Sequence, residues 1–241
     1  MADEIIQYFN QDFIVIRKPR RRTLSVKLSF EGQNKIYAHN SLPQKVIFEF
    51  LLSKKNWIEQ KLTSLNELKK KAHHPQFKEA ELFPFLGEMK YFSFTNYKSK
   101  KIKFQIEDGF LSCSVPINDI MDEKKLNKAL IQFYKKEAQL FLIDRCMILS
   151  EQLILNPSKI KIQTANRRWG SCNSLGVINL NWKLMMFPPS LIDYVIIHEL
   201  CHLKYLNHSK NFWSLVESHY PLYREAQDYF KSEGHSLSGF L

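Results

Sequence analysis

The run His198-Glu199-Leu200-Cys201-His202 constrains this chain of 241 residues more than any other feature. Its neighbours Ile192, Val195, Ile196 and Leu203 are apolar, so the segment reads as a largely buried helix. Helical positions four apart lie on one face, about 40° apart and one turn along. His198 and His202 therefore point their imidazoles the same way. Two histidines and a glutamate in a buried helix are costly unless something pairs with them, and a zinc ion supplies that pairing. Glu199 sits one step round the helix. It need not be a ligand, and it can take a proton from a water on the metal.

The surrounding residues fill in the site. Ile178, Leu180, Trp182, Leu184 and Met186 alternate with polar neighbours, which predicts a strand over Val177–Met186 with one buried face. Pro188-Pro189 ends it. Ser190 with Asp193 three residues later resembles a capping box for the metal helix. Tetrahedral zinc needs a third protein ligand and leaves a fourth position for water. His208 is the first candidate, six residues after His202. A continuing helix would turn it away, so the helix must stop between them, and Asn207 is a plausible terminator. Ser209 can then cap a following helix carrying Phe212, Trp213, Leu215 and Val216. Glu217, Glu225 and His219 remain competitors for the third position. The loop Arg167-Arg168-Trp169-Gly170-Ser171-Cys172 is expected beside the site, with Arg168 able to bind a substrate carboxylate or phosphate. Trp169 and Trp182 are expected in the core.

Earlier parts of the chain read as alternating strands and helices. Phe13–Ile16 is an apolar run, and Leu24, Val26, Leu28 and Phe30 alternate with polar residues. Glu31-Gly32 marks a turn before Lys35–Ala38. Pro43 opens a helix with Val46, Ile47, Phe50, Leu51, Trp57, Ile58 and Leu62 at helical spacing. The polar stretch from Lys69 to His74 is the linker candidate, which predicts a basic strand-helix region over 1–75 and a metal-site region over 76–241. Strands are expected near Lys90–Phe94, Ile102–Ile106 and Phe110–Val115, with Asp108-Gly109 as a hairpin turn. A helix from Glu123 to Leu153 carries an apolar stripe through Leu126, Leu130, Phe133, Ala138, Phe141 and Ile148.

Charge is uneven. The net charge is +11, and residues 1–75 hold 14 Lys and Arg against 7 Asp and Glu. The cluster Arg17-Lys18-Pro19-Arg20-Arg21-Arg22 lies there, so the front of the chain permits non-specific nucleic acid or another acidic surface as partner. Cys113, Cys146, Cys172 and Cys201 form no CxxC pair, which indicates neither a disulfide framework nor a cysteine zinc cluster. No apolar run reaches the ~18–20 residues of a membrane span, and the acidic start Met1-Ala2-Asp3-Glu4 lacks a signal-peptide pattern. The expectation is a soluble, cytoplasmic protein with no membrane association.

The string from Arg168-Trp169-Gly170-Ser171-Cys172 through Asn179-Leu180-Asn181-Trp182 and His198–His202 to Asn207-His208-Ser209 and Phe212-Trp213 resembles the YgjP-like metallopeptidases. That family is related to the SprT-like and WLM peptidases. The resemblance is specific over residues 160–230 and looser before it. It implies zinc held by His198, His202 and His208, Glu199 as base, and a protein or peptide substrate near Arg168, Asn179 and Asn181. The ligand spacing equals that of metzincins, but Tyr205 stands where they have glycine. The expected architecture is α+β, a zincin-like C-terminal minidomain with a basic α/β region in front. The expected reaction is hydrolysis of a peptide bond by a zinc-polarised water that Glu199 deprotonates. Two other readings use the same residues. One is hydrolysis of a nucleotide phosphoanhydride, against which stands the lack of a Gly-rich phosphate loop. The other is a nucleic-acid-binding module with structural zinc, which would need no Glu199.

Overall fold

Alternation of apolar and polar residues does produce strands in the first third of the chain, but their bounds differ from the pattern: the strands at Phe13–Ile16 and Lys35–Ala38 are longer than read, and the one from Leu24 is shorter. The computed structural model describes residues 4–8, 11–28, 34–71 (backbone only for 64–71), 75–96, 98–119, 122–165 and 168–232. Within them are three small sheets and six helices, and the chain divides into two compact units, Met1–His73 and His74–Leu241.

The first unit has strands β1 (Glu4–Tyr8), β2 (Gln11–Lys18), β3 (Ser25–Lys27) and β4 (Asn34–His39), in the order β1-β2-β4-β3. β2 and β4 are parallel and the other pairs antiparallel. The strand read from Leu24 onward is only the three residues of β3. Phe30 and the Glu31-Gly32 turn lie outside the described residues. The single helix expected after Pro43 is two, α1 (Gln44–Ser53) and α2 (Lys55–Lys71), parted at Lys54. α2 carries helix through Lys71, into the expected linker, whose remainder is not described. Phe13, Ile36, Ala38, Ile47, Leu51 and Ile58 close the core of this unit, each fully buried.

The second unit opens with β5 (Leu82–Phe85), β6 (Glu88–Asn96), β7 (Lys98–Glu107) and β8 (Phe110–Pro116), ordered β5-β6-β8-β7. Asp108 and Gly109 both have positive φ, 46° and 86°, and turn β7 into β8 as expected. β5 is a strand that the sequence reading omits. The helix α3 (Glu123–Leu153) has the expected bounds. Asp122 caps it by accepting from the Lys125 N–H, and Ile154 ends it in the left-handed region at φ 55°. Its buried seam drifts from the predicted stripe. Leu142, Cys146 and Leu149 are buried, whereas Ile148 is 38% exposed.

A third sheet and three helices complete this unit: β9 (Lys159–Gln163), β10 (Gly170–Cys172), β11 (Val177–Asn181), α4 (Pro189–Cys201), α5 (Lys210–His219) and α6 (Tyr223–Ser232). The sheet order is β10-β11-β9, so β10 is an edge and β11 is interior. The strand predicted over Val177–Met186 stops at Asn181, whose side chain accepts from the Lys183 N–H and starts a 3₁₀ turn over Trp182–Met186. That turn buries Trp182, Leu184, Met185 and Met186 together, which strict alternation does not allow. Its end is tied to β5 by the Leu86 N–H bonding the Met185 carbonyl at 2.7 Å. Gly87 follows at φ 81°, and a Cβ there would sit 2.7 Å from Cα of Pro188. Only glycine lets this turn lie against the start of α4. No helix among the described residues is long and apolar enough to cross a membrane.

Candidate metal centre

α4 begins at Pro189 with Pro188 as its cap residue and no side-chain cap. The capping box expected from Ser190 and Asp193 does not form. Asp193 instead accepts two 2.7 Å hydrogen bonds from Arg145 of α3. This bidentate pair and the apolar residues Ile192, Val195, Ile196 and Leu200 fix the helix against the core. Glu199 and His202 are buried with it, at 6% and 8% exposure.

The chain leaves α4 at His202, not at Asn207. The amides of Leu203, Lys204 and Tyr205 bond back to Leu200 and Cys201, tightening the last turn. Asn207 is not among the positive-φ residues, so no left-handed asparagine ends the helix. The side chain of Ser209 does cap α5, accepting from the Phe212 N–H at 3.3 Å. This reversal brings His208 back onto α4. Its Nε2 lies 3.0 Å from Nε2 of His198, and one ring nitrogen from each of His198, His202 and His208 falls within 4.8 Å of the others. α5 backs the rings: His202 stacks on Phe212 at 4.4 Å and His208 on Trp213 at 5.3 Å.

These histidines suit a cation. His202 Nδ1 lies 2.9 Å from the Tyr205 carbonyl, which assigns it the proton and leaves the Nε2 lone pair free. Burial, reinforced by His202 and His208, holds His198 down to about 3, so its ring is neutral. His202 is lowered too, chiefly by burial. Two neutral imidazoles 3.0 Å apart can share one proton, while a metal ion accepts both lone pairs. Burial drives the Glu199 carboxyl the other way, up to about 8, against the opposing Arg168 charge and the Cys172 backbone N–H that bonds it. A carboxyl raised by burial holds an accepted proton well, and a cation beside it would favour the ionised form that takes one, so the group suits proton transfer in both directions.

The cluster opens on a cleft of about 460 Å³ whose walls include Arg168, Gly170, Cys172, Glu199, His208 and Phe230. Arg168 is exposed at this wall, and Arg167 lies outside the described residues. Asn179 and Asn181 are not among the lining residues. Asn179 donates to Ser171 Oγ, and the buried Asn181 amide donates to the Ala165 and Arg168 carbonyls. The competitors Glu217, Glu225 and His219 stand outside the histidine cluster. Trp182 is core, its indole N–H on Thr164 Oγ1, while Trp169 lines the cleft. Sequence reasoning overlooked the Tyr205 carbonyl, the Cys172 amide and the space at Gly170. Backbone groups leave no side-chain signal.

No curated protein matches the chain. A solved structure, the metallopeptidase zymogen abylysin of Pyrococcus abyssi, is similar over 36% of this chain and 90% of that one, with 24% identity and a TM-score of 0.34. The YgjP-like metallopeptidase domain matches residues 22–233, which contain all three histidines and Glu199. The chain belongs to the YgjP-like metallopeptidases.

Proposed function

We propose that this chain is a zinc-dependent peptidase of zincin-like design, with His198, His202 and His208 as ligands and Glu199 as general base. One observation carries the reading: three imidazole nitrogens converge within 4.8 Å beside a buried carboxyl on the wall of an open cleft. Three imidazoles with an open fourth position suit zinc. When bound, zinc supplies Lewis acidity, bringing the pKa of water down to ~7 and stabilising negative charge on a carbonyl oxygen. Glu199 takes the proton of the attacking water and hands it to the leaving amine. The Cys172 N–H holds the carboxylate in place for both transfers. β11 is paired on both sides, so an extended substrate would add to the free edge of β10, which lines the cleft. Arg168 offers a cation for a substrate carboxylate there. The four free cysteines support a reducing, cytoplasmic setting.

The test uses zinc-loaded protein against unfolded polypeptides and, in parallel, nucleoside triphosphates. Elemental analysis should find about one zinc per chain. Glu199→Gln should keep fold and metal and lose ~10²–10⁴-fold in peptide hydrolysis. Full activity in that variant at unchanged metal content would end the assignment of Glu199 as base. Hydrolysis of the triphosphates alone would end the peptidase reading.

A further inference from the structure

We infer that Gly170 is the positioning residue for Glu199: its missing side chain is the slot that holds the carboxylate in its working place. A Cβ built on Gly170 would lie 2.6 Å from Cγ, 2.7 Å from Oε1 and 2.9 Å from Cδ of Glu199. All three are well inside van der Waals contact, so a side chain at 170 and the present Glu199 rotamer exclude each other. The φ of Gly170 is not in the left-handed region, so the requirement for glycine is steric and not conformational.

Either the strand or the carboxylate must give way. β10 is pinned. Gly170 pairs with Leu180 across the sheet, and the Asn181 N–H bonds the Trp169 carbonyl at 2.8 Å. The Asn181 side-chain amide holds the Arg168 and Ala165 carbonyls at 3.1 and 2.8 Å, and Asn181 is itself 2% exposed. The Cys172 N–H reaches the carboxylate from the same short strand. Glu199, with a movable side chain, is therefore what shifts, away from both the Cys172 amide and the water it must deprotonate. Displacing a catalytic group by about 1 Å can cost ~10²-fold in rate. Asn181, expected from the resemblance to lie near substrate, takes instead the part of a brace behind β10.

This inference rests on Glu199 being the base, and the experiment separates the two claims. Gly170→Ala, Glu199→Ala and the double variant are compared by Tm, zinc per chain and, for Gly170→Ala and Glu199→Gln, kcat and KM on an unfolded polypeptide. Gly170→Ala should lower Tm alone and leave it unchanged when added to Glu199→Ala, because the clashing atoms are then gone. Zinc content should stay at the parent value, and kcat should fall ~10²-fold with little change in KM. If Gly170→Ala proves insoluble by itself, recovery of soluble protein in the double variant supports the contact. An equal fall of Tm in both backgrounds, or insolubility in both, overturns it. Coupled Tm values with normal kcat in both Gly170→Ala and Glu199→Gln would leave the contact standing and remove Glu199 as the base, and with it the positioning role.

Discussion

In Met1–His73, Arg17 gives two hydrogen bonds to Glu4, at 2.6 and 3.0 Å, and three more to the carbonyls of His39, Asn40 and Leu42. Arg21 bonds Thr23 and Ser25 and lies over the Tyr37 ring. In His74–Leu241 the pattern is reversed. Glu199 and His202 are the acid and base side chains that are buried among the described residues, and His198 Nδ1 is a buried nitrogen with no partner. The first unit spends its half-buried arginines on its own turns. The second keeps ionisable groups in the interior, Glu199 held by the Cys172 N–H and His202 by the Tyr205 carbonyl, on the wall of an open cleft. Such groups are costly to bury unless a ligand or a reaction uses them, so buried ionisable side chains locate chemistry better than charge density does.

The most severe way to break this contrast is His208→Ala. His208 is exposed, and an exposed substitution normally changes stability by no more than ~0.5 kcal/mol. Here the variant should keep its fold without metal yet lose zinc retention and all peptide hydrolysis. Glu217→Ala and Glu225→Ala are the controls and should retain zinc. Elemental analysis after dialysis reads the result, and zinc lost from a control but kept by His208→Ala would reassign the third ligand. A smaller effect is expected at the paired charge of the same unit. Arg145→Met strands Asp193, which is 18% exposed, and should destabilise by about 1–3 kcal/mol. Urea unfolding measures it. Replacing Asp193 as well should recover part of the loss, with zinc content unchanged throughout.

What could be read in the sequence follows from how local its causes are. The bounds of α3 were legible because an apolar pattern repeats over 31 residues and nothing interrupts it. The Asp108-Gly109 hairpin was legible because two residues determine the turn. The three histidines were legible because spacing four puts two on one face and a short reversal returns the third. Failures came where a distant residue decides. Asp193 looks like the partner of Ser190 in a capping box until Arg145, 48 positions earlier, claims it. Trp182, Leu184 and Met186 are buried as the strand pattern predicts, but on a 3₁₀ turn that Asn181 starts. Gly170 and Glu199 are 29 residues apart, and nothing local to either announces their contact.

The basic front offers a finer test of the comparison. Arg17 and Arg21 are engaged in the fold, while Lys18, Arg20 and Arg22 are exposed. We propose that these exposed cations, and not the whole cluster, give weak binding to nucleic acid without sequence preference. Fluorescence anisotropy on labelled single- and double-stranded DNA should show affinity falling with salt, by about 0.9 in the logarithmic slope per phosphate contact on duplex. Reversing Arg20 and Arg22 should flatten that slope and leave Tm unchanged. Reversing Arg21 should lower Tm, because its bonds to Thr23 and Ser25 are structural. Binding that ignores both salt and these reversals removes the idea.

The gentlest effect should be seen in acid. Glu4 has its carboxyl held below the ordinary value by its hydrogen bond from Arg17, with burial opposing and the charge of Arg17 assisting. A depressed folded value means that the unfolded chain takes up the proton first as pH falls. The contribution of the pair is thus complete above the ordinary carboxylate value and fades as pH drops through the lower folded one. Both partners are partly exposed, at 34% and 26%, so solvent screening keeps the effect small. Hydrogen exchange on the full chain resolves it. Protection in Glu4–Tyr8 and Gln11–Lys18 should decline over that window relative to Phe110–Pro116 in the other unit. In Glu4→Gln it should be lower at neutral pH and flat through acid. A parent decline that matches the second unit, or one that persists in Glu4→Gln, would show that the Arg17 pair does not set the acid response of the first unit.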